Sequence, residues 1–330
     1  MTDELKPVAE KALEKTDHLL VEIGCEELPP KTLDELRDAL FGAVSAGLER
    51  DSISFDITAS RAYSTPRRLA LLFSSVALQQ PDQDQERRGP ALAVAFDPQG
   101  QPSAAALGFA RSVNLEVQQL ETLTTDKGDW LVARIHVAGK PLDQLIFPIL
   151  EQAVRQLPVP RPMRWSHHEF SFVRPVHWLI VMHGDRVLHG SLLGQLAGNQ
   201  TWGHRIHAPG PHAVSSASEY LEVLKKAHVL ADQDQRKAAI RKQLLAIDPA
   251  TRIDPALLSE VNNLVEWPVA IECAFDESFL SVPHEALVAS MQDHQRFFPI
   301  QAAPVSSAVS KRFVAVANLN SADVARVREG

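Results

Sequence analysis

The sequence predicts a multi-domain α+β protein, with mixed or antiparallel sheets and helices packed on them. Three observations lead there. The chain has 330 residues, more than one ordinary core accommodates. Hydrophobic residues make up 45% and charged residues 22%, the balance of a folded globular protein. The apolar spacing switches repeatedly between a helical period and a strand period, starting strand–helix–strand–strand rather than in strict β–α alternation.

The elements follow in order. Residues 1–17 are polar and charged, a flexible lead-in with no apolar signal region. Leu19-Leu20-Val21-Glu22-Ile23-Gly24 is a short apolar run ended by glycine, a buried strand. A helix starts at Thr32, where Thr32 with Glu35 three residues on spells a capping box, and Leu33, Leu36, Leu40, Val44 and Leu48 form its apolar stripe. Ile53–Thr58 and Leu69–Val76 read as strands, and Pro81–Gln101 as a loop. Ala104–Val113 reads as a helix, Trp130–Val137 as a half-buried strand and Leu142–Leu157 as a helix stopped by Pro158, Pro160 and Pro162. Val173–Met182 and Arg186–Leu193 form a hairpin about Gly184-Asp185. Ser218–Ala246 reads as one long helix, Leu257–Val265 as a short one, and Val269–Phe275 and Phe313–Ala317 as strands, with a loop at Ala302–Ser310. Polar, proline-containing breaks divide the chain into 18–81, 82–160 and 161–330 after the lead-in.

Several function classes are excluded on these residues. No apolar stretch approaches the ~20 residues of a membrane span, which makes the expected location the cytoplasm and the expected partners other than a membrane. Cys25 and Cys273 are too few for a disulfide framework or a cysteine-rich zinc site. The phosphate-loop, dinucleotide and nucleophile-elbow glycine patterns are all missing. Net charge is −8, so the surface as a whole is not a nucleic-acid platform.

What remains is local. Eight histidines crowd between His167 and His212 without a His-Glu-x-x-His spacing, so no metal site is assigned; a few of them can line a groove for a polar ligand or RNA backbone. Arginine pairs recur at Arg67-Arg68, Arg87-Arg88, and Arg161 with Arg164, and again at Arg174, His204 and Arg205, with Trp165, Trp178 and Trp202 close by. Arginine with an aromatic neighbour suits RNA, by charge to phosphate and by ring stacking on bases. The ordinary alternative is that each arginine pairs with a carboxylate of this acidic chain.

Specific strings go further. Leu20-Val21-Glu22-Ile23-Gly24-Cys25-Glu26-Glu27-Leu28-Pro29-Pro30 resembles the opening motif of the glycyl-tRNA synthetase beta subunit family. Pro66-Arg67-Arg68-Leu69-Ala70, Arg88-Gly89-Pro90, Leu123-Thr124-Thr125-Asp126-Lys127-Gly128 and Leu157-Pro158-x-Pro160-x-x-Met163-Arg164-Trp165 follow in the same order. So do Phe172-Val173-Arg174-Pro175-Val176-His177-Trp178, Gly203-His204-Arg205, Leu264-Val265-Glu266-Trp267-Pro268 and Phe298-Pro299. Two departures stand out: Cys25 where threonine is expected, and Asp293–Phe298 where lysine and tyrosine are.

The resemblance implies a non-catalytic subunit of the tetrameric (α2β2) glycine–tRNA ligase, inactive alone. Its implied partners are the alpha subunit, tRNA-Gly and a second beta subunit. ATP and Mg belong to the alpha subunit, so no cofactor and no catalytic residue is expected here. The family's beta subunit continues through an HD-type region and an anticodon-binding domain, so the chain resembles its N-terminal half. Residues 161–330 are expected to resemble the B3/B4 domain of the phenylalanyl-tRNA synthetase beta chain. RNA-facing candidates are Arg67, Arg68, Arg164, Trp165, Arg174, His177, His204 and Arg205. The alternatives are a structural scaffold without RNA contact and an editing-like aminoacyl-tRNA deacylase.

Overall fold

The computed structural model describes residues 16–126, 128–166, 168–302, 308–321, 323, 325 and 326. The lead-in before Thr16, His167 and most of the 302–310 loop lie outside the described residues. The elements in chain order are β1 (Thr16–Cys25), α1 (Leu33–Arg50), β2 (Asp56–Thr65), β3 (Arg68–Ala77), β4 (Gln83–Ala91), α2 (Leu92–Ala95), α3 (Ala104–Ser112), β5 (Glu121–Thr125) and β6 (Gly128–Val137). Then come α4 (Leu142–Arg155), β7 (Val176–His183), β8 (Arg186–Val187), β9 (Ser191–Leu192), β10 (Gln195–Gly198), β11 (Gln200–Trp202), β12 (Pro211–Ala213), α5 (Tyr220–Lys226), α6 (Gln233–Ile247), α7 (Pro255–Asn262), β13 (Val269–Ala274), α8 (His284–Ala289), β14 (Phe298–Gln301) and β15 (Val309–Ala317). This is the mixed α+β architecture expected. No helix among the described residues is long and apolar enough to cross a membrane.

The chain divides into two compact units, residues 79–142 and the remainder. In the larger unit a seven-stranded sheet runs β2-β3-β1-β7-β10-β9, with β8 hydrogen-bonded to β7. Every pairing in it is antiparallel except β10 with β7. β1 is central, so its side chains are buried on both faces. On one face Leu20, Ala70, Ile180 and Met182 pack with Tyr220 and Leu224 of α5 and with Val229 and Ala231. Glu22 sits opposite Ala70 and Ile180 in register, which forces a carboxylate onto this dry face. A second core joins Ile240 and Leu244 of α6 and Leu257, Leu258 and Val261 of α7 to Phe298, Ile300 and Val314 of the β13-β15-β14 sheet.

The smaller unit is a three-stranded antiparallel sheet, β4-β6-β5, whose small core is Ala95, Ala106 and Leu131. Ser103 caps α3 by accepting from the Ala106 N–H. Two elements differ from expectation here: 83–91 is a strand and Leu92–Ala95 a turn of helix, within the segment read as loop. The β4 side chains are mostly exposed and polar, so the strand leaves no apolar alternation; its ladder to β6 makes it.

Two further corrections concern helices. Thr32 precedes α1 but makes no side-chain cap; its hydroxyl donates to the Pro29 carbonyl at 3.4 Å, so the capping box does not form. The single helix expected over 218–246 is two. α5 ends at Lys226, His228 adopts φ +56°, and the Asp232 carboxylate accepts from the Asp234 and Gln235 N–H groups to start α6. Burying Val229 and Ala231 in the core beneath β1 is what turns the chain there.

Candidate functional site

The first basic pair is enclosed. Arg68 is 0% and Arg67 6% exposed, and Glu266, from the segment before β13, is 1% exposed. Arg67 reaches one Glu266 oxygen at 2.7 Å, and Arg68 reaches the other at 3.2 Å. Arg68 also faces Glu22 at 3.5 Å. Two guanidiniums thus meet two carboxylates, and the remaining hydrogen-bonding capacity is filled locally. Thr65 donates to Glu266 at 2.8 Å, Thr201 donates to Glu22 at 2.7 Å, and the Trp178 indole N–H donates to Glu22. Arg67 donates to the Gly203 carbonyl, and Arg68 to the Trp202 carbonyl, the Thr201 hydroxyl and the Thr65 hydroxyl. A buried charge pair is tolerable only when satisfied this fully.

The electrostatics agree with the geometry. Burial alone would raise the Glu266 pKa, but the Arg68 and Arg67 charges outweigh it and hold the carboxyl below its usual range. Burial, then the Glu22 carboxylate, pushes the Tyr220 phenol well above its ordinary value, so a neutral hydroxyl lies beside the cluster. Trp178 packs against the backbone of Gly24 so closely that a Cβ there meets its ring at 1.8 Å. That approach requires glycine.

The other candidates fall in three places. His177 and Arg205 are exposed and share Glu26, at 3.0 Å and 2.5 Å. Burial raises the Glu26 pKa and Arg205 and His177 lower it, with a net lowering. His204 is buried (1% exposed); its Nε2 meets the Asn318 carbonyl at 2.6 Å and its Nδ1 accepts from the Ile206 and His207 N–H groups. Its ring stacks on His207, which leans on His228, which meets Trp267 edge-on. Arg164 and Trp165 lie in a loop closed by the paired backbones of Met163 and Phe172, and half-buried Arg174 donates to the Met163 sulfur at 3.3 Å. Arg164 and Arg161 are exposed and make no ion pair or hydrogen bond among the described residues. In the smaller unit Arg88 lies 3.6 Å over the Trp130 ring.

Sequence reasoning missed the carboxylates that take the first pair, Glu22 and Glu266, and it missed Arg236. The run 232–242 is strongly charged, yet Arg236 is 0% exposed and donates to the carbonyls of Ser64, Leu230, Ala231 and Asn262. Burial lowers its pKa to about 10. Glu22 did leave a signal: a lone carboxylate inside an apolar strand has to be paired. Among the described residues no group of three or more His, Cys, Asp or Glu is placed to hold a metal.

The fold and this site define an α+β module that holds a neutralised, buried charge cluster built from Glu22, Arg67, Arg68 and Glu266. Residues 19–330 match the family model described as "Glycyl-tRNA synthetase beta subunit", and the chain belongs to that family. It is 45% identical over 316 residues to the glycine–tRNA ligase beta subunit of Chromohalobacter salexigens, covering 94% of this chain and 45% of that protein. It is 41% identical over 317 residues to the beta subunit of Pseudoalteromonas translucida, covering 95% of this chain and 45% of that one. With the Hahella chejuensis subunit it shares 44% over 317 residues, again 94% and 45% of the two chains. The chain therefore spans less than half the length of these curated relatives.

Proposed function

We propose that this chain serves glycine–tRNA ligase as the N-terminal part of its beta subunit, docking on the alpha subunit and on tRNA-Gly while the alpha subunit attaches glycine with ATP and Mg. The observation that carries this reading is the continuous similarity from residue 19 to residue 330 to curated beta subunits. In this reading the assembly is α2β2 and cytoplasmic, and the chain alone is inactive. Arg67, Arg68 and His204 then act structurally, since their hydrogen bonds end on this chain. The RNA-facing set narrows to Arg164, Trp165 and Arg174 at the 163–172 loop, with His177 and Arg205 as a second, carboxylate-shared pair.

A scaffold without RNA contact is the second reading, favoured by the sharing of Glu26 between His177 and Arg205. Charging of tRNA-Gly by alpha alone, alpha with this chain, and alpha with a complete beta subunit separates the possibilities, run beside size-exclusion of each mixture. The expected result is co-elution of this chain with alpha and little charging. A chain that neither co-elutes with alpha nor retards tRNA overturns the proposal.

A further inference from the structure

Below the C-terminal end of α4 lies an open cavity of about 690 Å³, the size range of small-ligand sites. Its lining is mixed, with Val154, Leu157, Val159, Pro162, Leu192, Leu193 and Phe170 as the apolar part. Glu151, Arg155, Glu169 and Ser171 make up the polar part. Phe170 stacks on His168 at 4.6 Å and meets Trp165 at 5.2 Å, giving an aromatic cluster on the same loop. Arg161 and Arg164 flank Pro162 and carry no carboxylate partner among the described residues.

Two backbone features tie these parts together. Ser166 and Leu193 hold positive φ, +54° and +50°, which costs a side-chain-bearing residue free energy that its surroundings must offset. Beside Leu193, a Cβ on Gly194 would meet His168 at 2.9 Å and Phe170 at 3.1 Å, so that turn is pressed against the aromatic cluster. The loop is therefore closed at its base by the Met163–Phe172 backbone pairing and contacted at His168 and Phe170 by the Gly194 turn.

We propose that this cavity is a nucleotide site, taking a base between Phe170 and the leucine and valine walls, with its phosphate on Arg161 and Arg164. A flat ring with exocyclic amino groups fits a lining that sets leucine, valine and phenylalanine side chains beside Glu169 and Ser171, and an attached phosphate fits two arginines that have no carboxylate partner among the described residues. Apolar peptide side chains would satisfy the walls but leave those arginines without a counter-charge. The inference deepens the RNA-contact reading and rests on it only for the source of the nucleotide, either the unpaired end of an RNA or a free mononucleotide.

The test uses the whole 330-residue chain. Binding of 5′-AMP and of a fluorescein-labelled single-stranded oligoadenylate of about six nucleotides is measured across a salt series. Val159→Trp, at a half-buried position in the cavity lining, obstructs the base-binding part of the cavity and is expected to weaken both ligands at least about tenfold. Arg161→Ala with Arg164→Ala is expected to weaken the oligonucleotide about tenfold and lower its log–log salt slope by about 1.4, two single-strand phosphate contacts. Oligonucleotide binding tighter than 5′-AMP assigns the site to RNA ends, and equal binding assigns it to the free nucleotide; both uphold it. Val159→Trp without effect overturns it, as does hydrogen-exchange protection of 157–171 by the alpha subunit and not by RNA. If Val159→Trp leaves RNA affinity unchanged while the chain still joins alpha, the site fails and the subunit reading stands. If the loop binds RNA but the chain never joins alpha, the reverse holds.

Discussion

Two arginine pairs in this chain look alike in sequence and have opposite fates. Arg67 and Arg68 stand at the head of β3, and Arg161 and Arg164 stand in the loop after α4; both pairs lie beside proline, and both have a tryptophan within reach. The first pair is sealed against Glu266 and Glu22, and the second is open to solvent with no counter-ion among the described residues. The difference lies in what the fold brings up from elsewhere. Glu266 is separated from Arg67 by 199 residues and Glu22 from Arg68 by 46, so no local pattern could report either pairing. A basic pair is thus evidence of RNA contact only after the distant carboxylates have been placed.

The largest test of that contrast is Glu266→Ala. It leaves two buried guanidiniums short of a counter-charge, and a loss of about 3–5 kcal/mol is expected in urea unfolding, as for other broken buried pairs. A loss below about 1 kcal/mol would mean the cluster is solvated and open to ligands, and the contrast would break. Gly24→Ala comes next. Its methyl enters the Trp178 ring, whose indole N–H serves Glu22, and about 1–3 kcal/mol is expected to go, with a changed near-ultraviolet tryptophan signal.

The pH dependence sharpens the same point. Glu266 is held below its unfolded pKa of about 4.3, so the folded state binds fewer protons there. Its contribution is complete above that value and is lost as pH falls through the lower folded pKa. The stability gap between the wild-type chain and Glu266→Gln should therefore narrow on acidification below about pH 4. A gap that widens on acidification would contradict the assigned pairing. The smallest effect belongs to the surface: Arg205→Ala breaks exposed pairs to Glu26 and Glu27, and thermal unfolding should register less than about 1 kcal/mol.

Much of the fold was legible because its periodicity is strong. The stripe Leu33, Leu36, Leu40, Val44 and Leu48 is buried along α1, Ala104–Ser112 is helical, and Gly184-Asp185 turns β7 into β8. What escaped was decided by tertiary contacts. β4 carries no apolar alternation and exists through its ladder to β6. The α5–α6 break needs Val229 and Ala231 drawn into a core that helical spacing alone does not show. Arg236 hides in a charged run because its partners are four main-chain carbonyls, which no side-chain pattern announces. For the candidate site, the family strings supplied the segments, and burial then sorted Arg67, Arg68 and His204 from Arg164 and Arg205.

The most direct measurement compares single-stranded RNA affinity of Glu266→Gln with that of Arg161→Ala/Arg164→Ala, at one salt concentration where both remain folded. The account predicts that the Glu266 variant binds RNA as the wild-type chain does despite its lost stability, and that the loop variant binds about tenfold more weakly with its stability intact. The reverse pattern, with affinity lost at Glu266 and kept at the loop, would put the RNA contact at Arg67 and Arg68 and contradict the account.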